Sequence, residues 1–139
     1  EKGPAFLVEV LGLKDRKGRL KLKLYPANDE DFLADDNILV GAGKVFRRVG
    51  EATPAAGPVQ LCIRAPGPGA YALSLMHDRD ANRRFSLSID GIGFPGNPKL
   101  GWSKPHAAAA RATVGSGPAR IAITMNYRRG LFAFGPLEK

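Results

Sequence analysis

Residues Arg19-Leu20-Lys21-Leu22-Lys23-Leu24-Tyr25 alternate strictly between basic and apolar side chains. Successive side chains of a β-strand point to opposite faces. A period of two therefore turns the three leucines toward a core and Arg19, Lys21 and Lys23 toward solvent. The same period recurs along the chain. Phe6, Val8 and Val10 alternate with Leu7, Glu9 and Leu11, and Val59, Leu61 and Ile63 with Gln60, Cys62 and Arg64. Tyr71, Leu73 and Leu75 alternate with Ala72, Ser74 and Met76, and Ile121, Ile123, Met125 and Tyr127 with Ala122, Thr124 and Asn126. A weaker run covers Lys44-Val45-Phe46-Arg47-Arg48-Val49. A chain built this way is predicted to be all-β.

The runs are separated by turn residues. Asp15-Arg16-Lys17-Gly18 is predicted to close a short hairpin between the first two strands, with Gly18 taking the positive φ. Pro66-Gly67-Pro68-Gly69 is a tight loop whose prolines cannot donate to a ladder. Gly115-Ser116-Gly117-Pro118 separates the last two strands. Asn28 to Asp36 reads as an acidic loop or one helical turn. The helical candidate is Pro105 to Arg111, rich in alanine and capped by Ser103, but only about two turns long. The 17 glycines and 11 prolines, about a fifth of 139 residues, suit many short strands better than a helical bundle. No internal repeat or linker divides the chain. The expectation is one domain over residues 1–139: an antiparallel sandwich of about seven strands, immunoglobulin-like or transthyretin-like.

With 21 basic and 13 acidic residues, the net charge is +8. Such a surface favours anionic surroundings, or simply keeps the protein soluble. The basic pairs Arg47-Arg48, Arg83-Arg84 and Arg128-Arg129 are scattered rather than gathered into a stripe. With few aromatics for stacking, specific nucleic-acid binding is not expected. Cys62 is the single cysteine, so no intrachain disulfide can form. No run approaches the roughly 18 apolar residues of a membrane-spanning helix. The chain opens at Glu1-Lys2-Gly3-Pro4 without Met, as a processed export signal or a trimmed start would leave it.

The residues that carry chemistry gather after the Tyr71–Met76 run, in His77-Asp78-Arg79-Asp80-Ala81-Asn82-Arg83-Arg84-Phe85. Asp78, Asp80 and Asn82 have the D-x-D-x-N spacing that opens calcium loops, where alternate side chains turn toward one ion. The pattern then fails: Arg83 stands where glycine permits the sharp turn, and Ile89 where a bidentate Glu would close the site. A self-capped polar turn is the alternative. His77 has no second His, Cys or Ser at a useful spacing, and a strand-end histidine bonded to nearby backbone accounts for it. Cys62 has no histidine partner, which argues against a nucleophile. Gly91-Ile92-Gly93-Phe94-Pro95-Gly96 and Gly41-Ala42-Gly43 do not open a helix after a strand as a dinucleotide site requires. Phe85, Phe94 and Trp102 bracket the loop, as packing at one end of the sandwich or as the lining of an apolar groove.

The run Gly69-Ala70-Tyr71-Ala72-Leu73-Ser74-Leu75-Met76-His77-Asp78-Arg79-Asp80-Ala81-Asn82, followed by Gly91-Ile92-Gly93-Phe94-Pro95-Gly96-Asn97, resembles the bacterial domain of unknown function 2141 family. Val10-Leu11-Gly12-Leu13, the basic turn and Leu22-Lys23-Leu24-Tyr25 are similar to that family's opening. The resemblance implies a secreted or periplasmic β-sandwich and no established activity. This chain departs from the family pattern at Asp80, Arg83, Ser86 and Pro95. The departures weaken a metal site and favour an anionic contact.

The functional expectation is an exported binding or interaction module, not an enzyme, that uses no cofactor. Its expected ligand-binding residues are His77, Asp78, Asp80, Asn82, Arg83, Arg84, Phe85, Phe94 and Trp102. The partner would be a small amphipathic molecule or an anionic envelope component. The alternative is a calcium-stabilised structural domain using Asp78, Asp80 and Asn82.

Overall fold

The computed structural model describes residues 3–28, 32–33, 36–79, 91–95, 110–128 and 134–135. In chain order the elements are β1 (Ala5–Leu11), β2 (Arg19–Pro26), α1 (Asp36–Gly41), β3 (Arg47–Ala52), β4 (Val59–Arg64) and β5 (Gly69–Asp78). They continue with β6 (Gly91–Gly93), β7 (Arg111–Val114), β8 (Pro118–Thr124), β9 (Tyr127–Arg128) and β10 (Phe134–Gly135). The all-β expectation holds: α1, six residues long, is the one helix among the described residues. No helix there is long and apolar enough to cross a membrane.

The strands form a three-stranded sheet in the order β4-β1-β8 and a larger sheet in the order β3-β2-β5-β6. In the larger sheet β7 also pairs with β5, over Gly69–Ala72, just beyond the stretch taken by β6. A short β9–β10 pair stands apart. The alternation placed the side chains correctly. Phe6, Val8 and Val10 on β1, Leu20, Leu22 and Leu24 on β2, Val59, Leu61 and Ile63 on β4, and Leu73 and Leu75 on β5 all join one buried cluster. Both sheets thus contribute their inward rows to the same core. Each such side chain gains roughly 1.5–3 kcal/mol by leaving water.

Pairing differs from expectation. The Asp15–Gly18 turn does not close a hairpin, because β1 pairs with β4 and β8 while β2 pairs with β3 and β5. The turn carries the chain from one sheet to the other. The sheet is not purely antiparallel either, since β1 and β8 run parallel. The Gly115–Gly117 turn crosses between sheets in the same way, so no hairpin with β7 sets the direction of β8. The weak third strand begins at Arg47 rather than Lys44. Arg111, the last residue of the helical candidate, opens β7, and residues 105–109 lie outside the described residues.

A second cluster covers part of the outer face of the larger sheet. It contains Tyr25, Phe32, Leu39, Ala72, Phe94 and Ala110. Tyr25 meets Phe32 and Phe46 edge to face at 5.5 and 5.4 Å between ring centres, and Phe32 meets Phe94 at 5.7 Å. Tyr25 and Ala72 are Cα partners across β2 and β5. This second layer explains why Ala72 through Leu75 are all buried, which period-two alternation does not anticipate.

Candidate functional site

The described polar residues converge at the end of β5, where the strand carries His77 and Asp78 and passes to Arg79. Three other segments meet them there. The β1–β2 connection supplies Lys14 to Gly18, β6 supplies Gly91, and β9 supplies Tyr127. The Met125 amide bonds the Leu11 carbonyl at 2.8 Å, and Ile92 and Asn126 exchange backbone bonds of 3.0 and 2.8 Å. These bonds hold the chain leading into β9 against both sheets, which brings Tyr127 over His77.

His77 is fully buried. Its Nδ1 lies 2.6 Å from the Tyr127 hydroxyl and its Nε2 2.7 Å from the Lys17 carbonyl. A carbonyl can only accept, so Nε2 carries a proton and donates it. In the neutral ring Nδ1 then accepts from the Tyr127 phenol. The phenol oxygen in turn accepts the Lys14 backbone N–H. The Lys17 carbonyl also accepts from the Thr53 hydroxyl at 3.0 Å. Every polar atom of the histidine ring is satisfied within the fold.

Asp15 borders this chain of bonds. One of its oxygens accepts the Lys17 N–H at 3.1 Å and lies 3.9 Å from His77 Nε2. The other accepts from the Arg79 guanidinium, through Nε at 2.9 Å and through a second nitrogen. Burial alone would raise the Asp15 carboxyl. The Arg79 and Lys17 bonds, with the charge of Arg79 and the nearby His77 ring, outweigh it and hold the group below the usual carboxylate range. Burial pushes the Tyr127 phenol the other way, up to about 12.

The Tyr127 shift has a measurable consequence. Between pH 10 and about 12 the unfolded chain releases the phenolic proton and the folded chain keeps it, so stability falls as pH rises through that window. The gap corresponds to roughly 2–3 kcal/mol. Denaturant unfolding of wild type and Tyr127→Phe across this range should show the extra alkaline loss only in wild type. Parallel curves would refute the assignment.

Gly91 makes the close approach of Tyr127 possible, and Gly93 that of the segment leading to it. A Cβ on Gly91 would stand 2.4 Å from Tyr127 Cε2, and one on Gly93 would stand 2.6 Å from Ile123 Cγ2 and 2.7 Å from the Thr124 carbonyl. The Gly-Ile-Gly segment, unconvincing as a dinucleotide loop, is here a close-packing device.

Of the nine residues expected to bind a ligand, three lie among the described residues. His77 sits as just described, Asp78 is fully buried beside it in the chain, and Phe94 is buried in the second apolar cluster. Asp80, Asn82, Arg83, Arg84, Phe85 and Trp102 lie outside the described residues. Asp78 is therefore the only one of the three calcium candidates that is placed, and among the described residues no group of three metal-ligating side chains occurs. Cys62 is exposed, as its place on the polar face of its strand implied.

Sequence reasoning did not connect Asp15, Lys17, Arg79 and Tyr127 with His77. Tyr127 is 50 residues from it and Lys17 is 60, and no local spacing carries such a link. No curated protein and no solved structure matches this chain. Residues 8–122, a span running from β1 to β8 and including the His77 end of β5, match the family described as an uncharacterized protein conserved in bacteria, the domain of unknown function 2141, and the chain belongs to that family.

Proposed function

We propose that this chain is an exported, non-catalytic binding or interaction module of the bacterial envelope. Its fold is read as a sandwich of immunoglobulin-like or transthyretin-like type, its contact surface as the His77 end, and its ligand as a small amphipathic or anionic molecule. One observation carries the reading. Both ring nitrogens of His77 are engaged inside the fold, by Tyr127 and by the Lys17 carbonyl, and the ring is closed to solvent. A general base must reach the proton it abstracts. This histidine instead joins four segments, as a residue that keeps a surface in shape would. Membership of a bacterial family supports the setting.

The test is native mass spectrometry of the protein isolated from a bacterial periplasm, with retention on anionic and apolar matrices. We expect either a bound small molecule or retention above that of a control protein of matched charge. A ligand-free mass together with control-like retention on both matrices would end the reading.

A further inference from the structure

We propose that the β1–β2 connection with the first residue of β2, Lys14 to Arg19, is a preformed docking site for a soluble polyanionic polymer bearing repeated phosphate, sulfate or carboxylate groups. The proposal rests on the binding-module reading above and gives it a place and a partner chemistry.

Lys14, Arg16, Lys17 and Arg19 are four exposed cations within six residues. The one acid among them, Asp15, turns away into its bonds with Arg79 and the Lys17 N–H. The local field is therefore strongly positive, and Arg79, half-buried behind the connection, balances the charge that would otherwise cancel part of it.

The backbone carrying these cations is held at many points. The Lys14 N–H bonds the Tyr127 phenol, and the Lys17 carbonyl accepts from His77 and Thr53. The Gly18 carbonyl accepts from the Thr53 amide at 3.0 Å and shares the single Thr53 hydroxyl proton with the Lys17 carbonyl, and the Arg16 guanidinium reaches the Pro54 carbonyl at 3.3 Å. A loop already held in place loses little freedom when it binds, so the attraction of its charges is not spent on ordering it. This gives the buried His77–Tyr127 pair a role at the surface: it positions the connection.

The composition of the connection selects the partner. No apolar side chain stands between Lys14 and Arg19. A bilayer surface is held best by cations interleaved with side chains that enter the hydrocarbon boundary. A hydrophilic polyanion needs only the charges.

The experiment measures binding of inorganic polyphosphate and of heparin, over a range of salt, to three forms of the whole chain. These are wild type, the triple variant K14Q/R16Q/K17Q, and a control R47Q/R111Q/R120Q that removes the same charge from exposed strand positions. We expect binding that weakens steeply with salt, a loss of at least about tenfold in the connection variant, and less than about threefold in the control. Tyr127→Phe keeps every charge and loosens the anchoring; about a threefold loss is expected with it. Equal losses in the two triple variants would overturn the site and leave the binding module standing. Failure of wild type to bind either polymer more tightly than a charge-matched protein would overturn the site and the anionic form of that reading together. Tighter binding to vesicles containing anionic lipid than to either polymer would replace the polymer with a bilayer.

Discussion

Replacing Gly18 with alanine is expected to destabilise the protein by about 3–5 kcal/mol, enough to leave a marginally stable fold partly unfolded. Two effects add at this position. Gly18 has φ +68°, where an L side chain costs roughly 1–2 kcal/mol. Its Cβ would also stand 1.9 Å from the Asp78 carbonyl oxygen and 2.7 Å from backbone atoms of Arg79. Those are main-chain atoms at and just past the end of β5, and they cannot rotate aside as a flexible side chain would. The chain must instead draw apart where β2 pairs with β5, between Arg19 and Asp78. That movement pulls the Lys17 carbonyl away from His77 and Asp15 away from Arg79. Gly57 supplies the control: its φ is +85° and nothing lies within 4 Å of its Cβ position. Gly57→Ala should show the conformational cost alone, roughly 1–2 kcal/mol. Urea unfolding of the two variants decides the matter. Equal and small losses would show that the contact with Asp78 is not tight.

The second large effect is expected at Gly91. Alanine there has no conformational penalty from a positive φ, so the cost is one of space. The new Cβ would meet Tyr127 at 2.4, 2.7 and 3.0 Å on three ring carbons. Tyr127 is buried in the main core and has little room to retreat. Overpacking of this kind costs about 1–3 kcal/mol, and a lost bond to a buried histidine costs about as much again. We expect a destabilisation of about 2–6 kcal/mol. Ultraviolet titration gives a second readout, because a displaced phenol regains water and should ionise nearer 10 than the value of about 12 it has in the native site. A Gly91→Ala protein with wild-type stability and wild-type phenol titration would refute the packing account.

The candidate site was legible only in part. The sequence marks His77 as a strand-end histidine near polar residues, and the fold places it at the end of β5 with a backbone carbonyl as one partner. Tyr127 was legible as an inward residue of an alternating run, which it is, but its hydroxyl gave no sign of its histidine partner. Asp15 read as a turn former, and it does accept the Lys17 N–H two residues on, as turn aspartates do. Its ion pair with Arg79, 64 residues away, is a product of the crossing between sheets.

The face of each main strand follows from the sequence alone. Leu20, Leu22 and Leu24 could not all be buried in any conformation but an extended one while Arg19, Lys21 and Lys23 keep their charges toward water. Burial of apolar area is local enough for a period of two to encode it. What alternation cannot encode is which strand lies beside which, because every inward row offers neighbours a similar apolar surface. The tertiary structure decided that β1 and β2 belong to different sheets, that β8 runs parallel to β1, and that a second apolar layer covers Tyr25 and Ala72. Those choices depend on contacts between residues far apart in the chain, such as the Gly91–Tyr127 approach and the His77–Lys17 bond. Packing density and hydrogen-bond satisfaction select them only once the whole chain has closed.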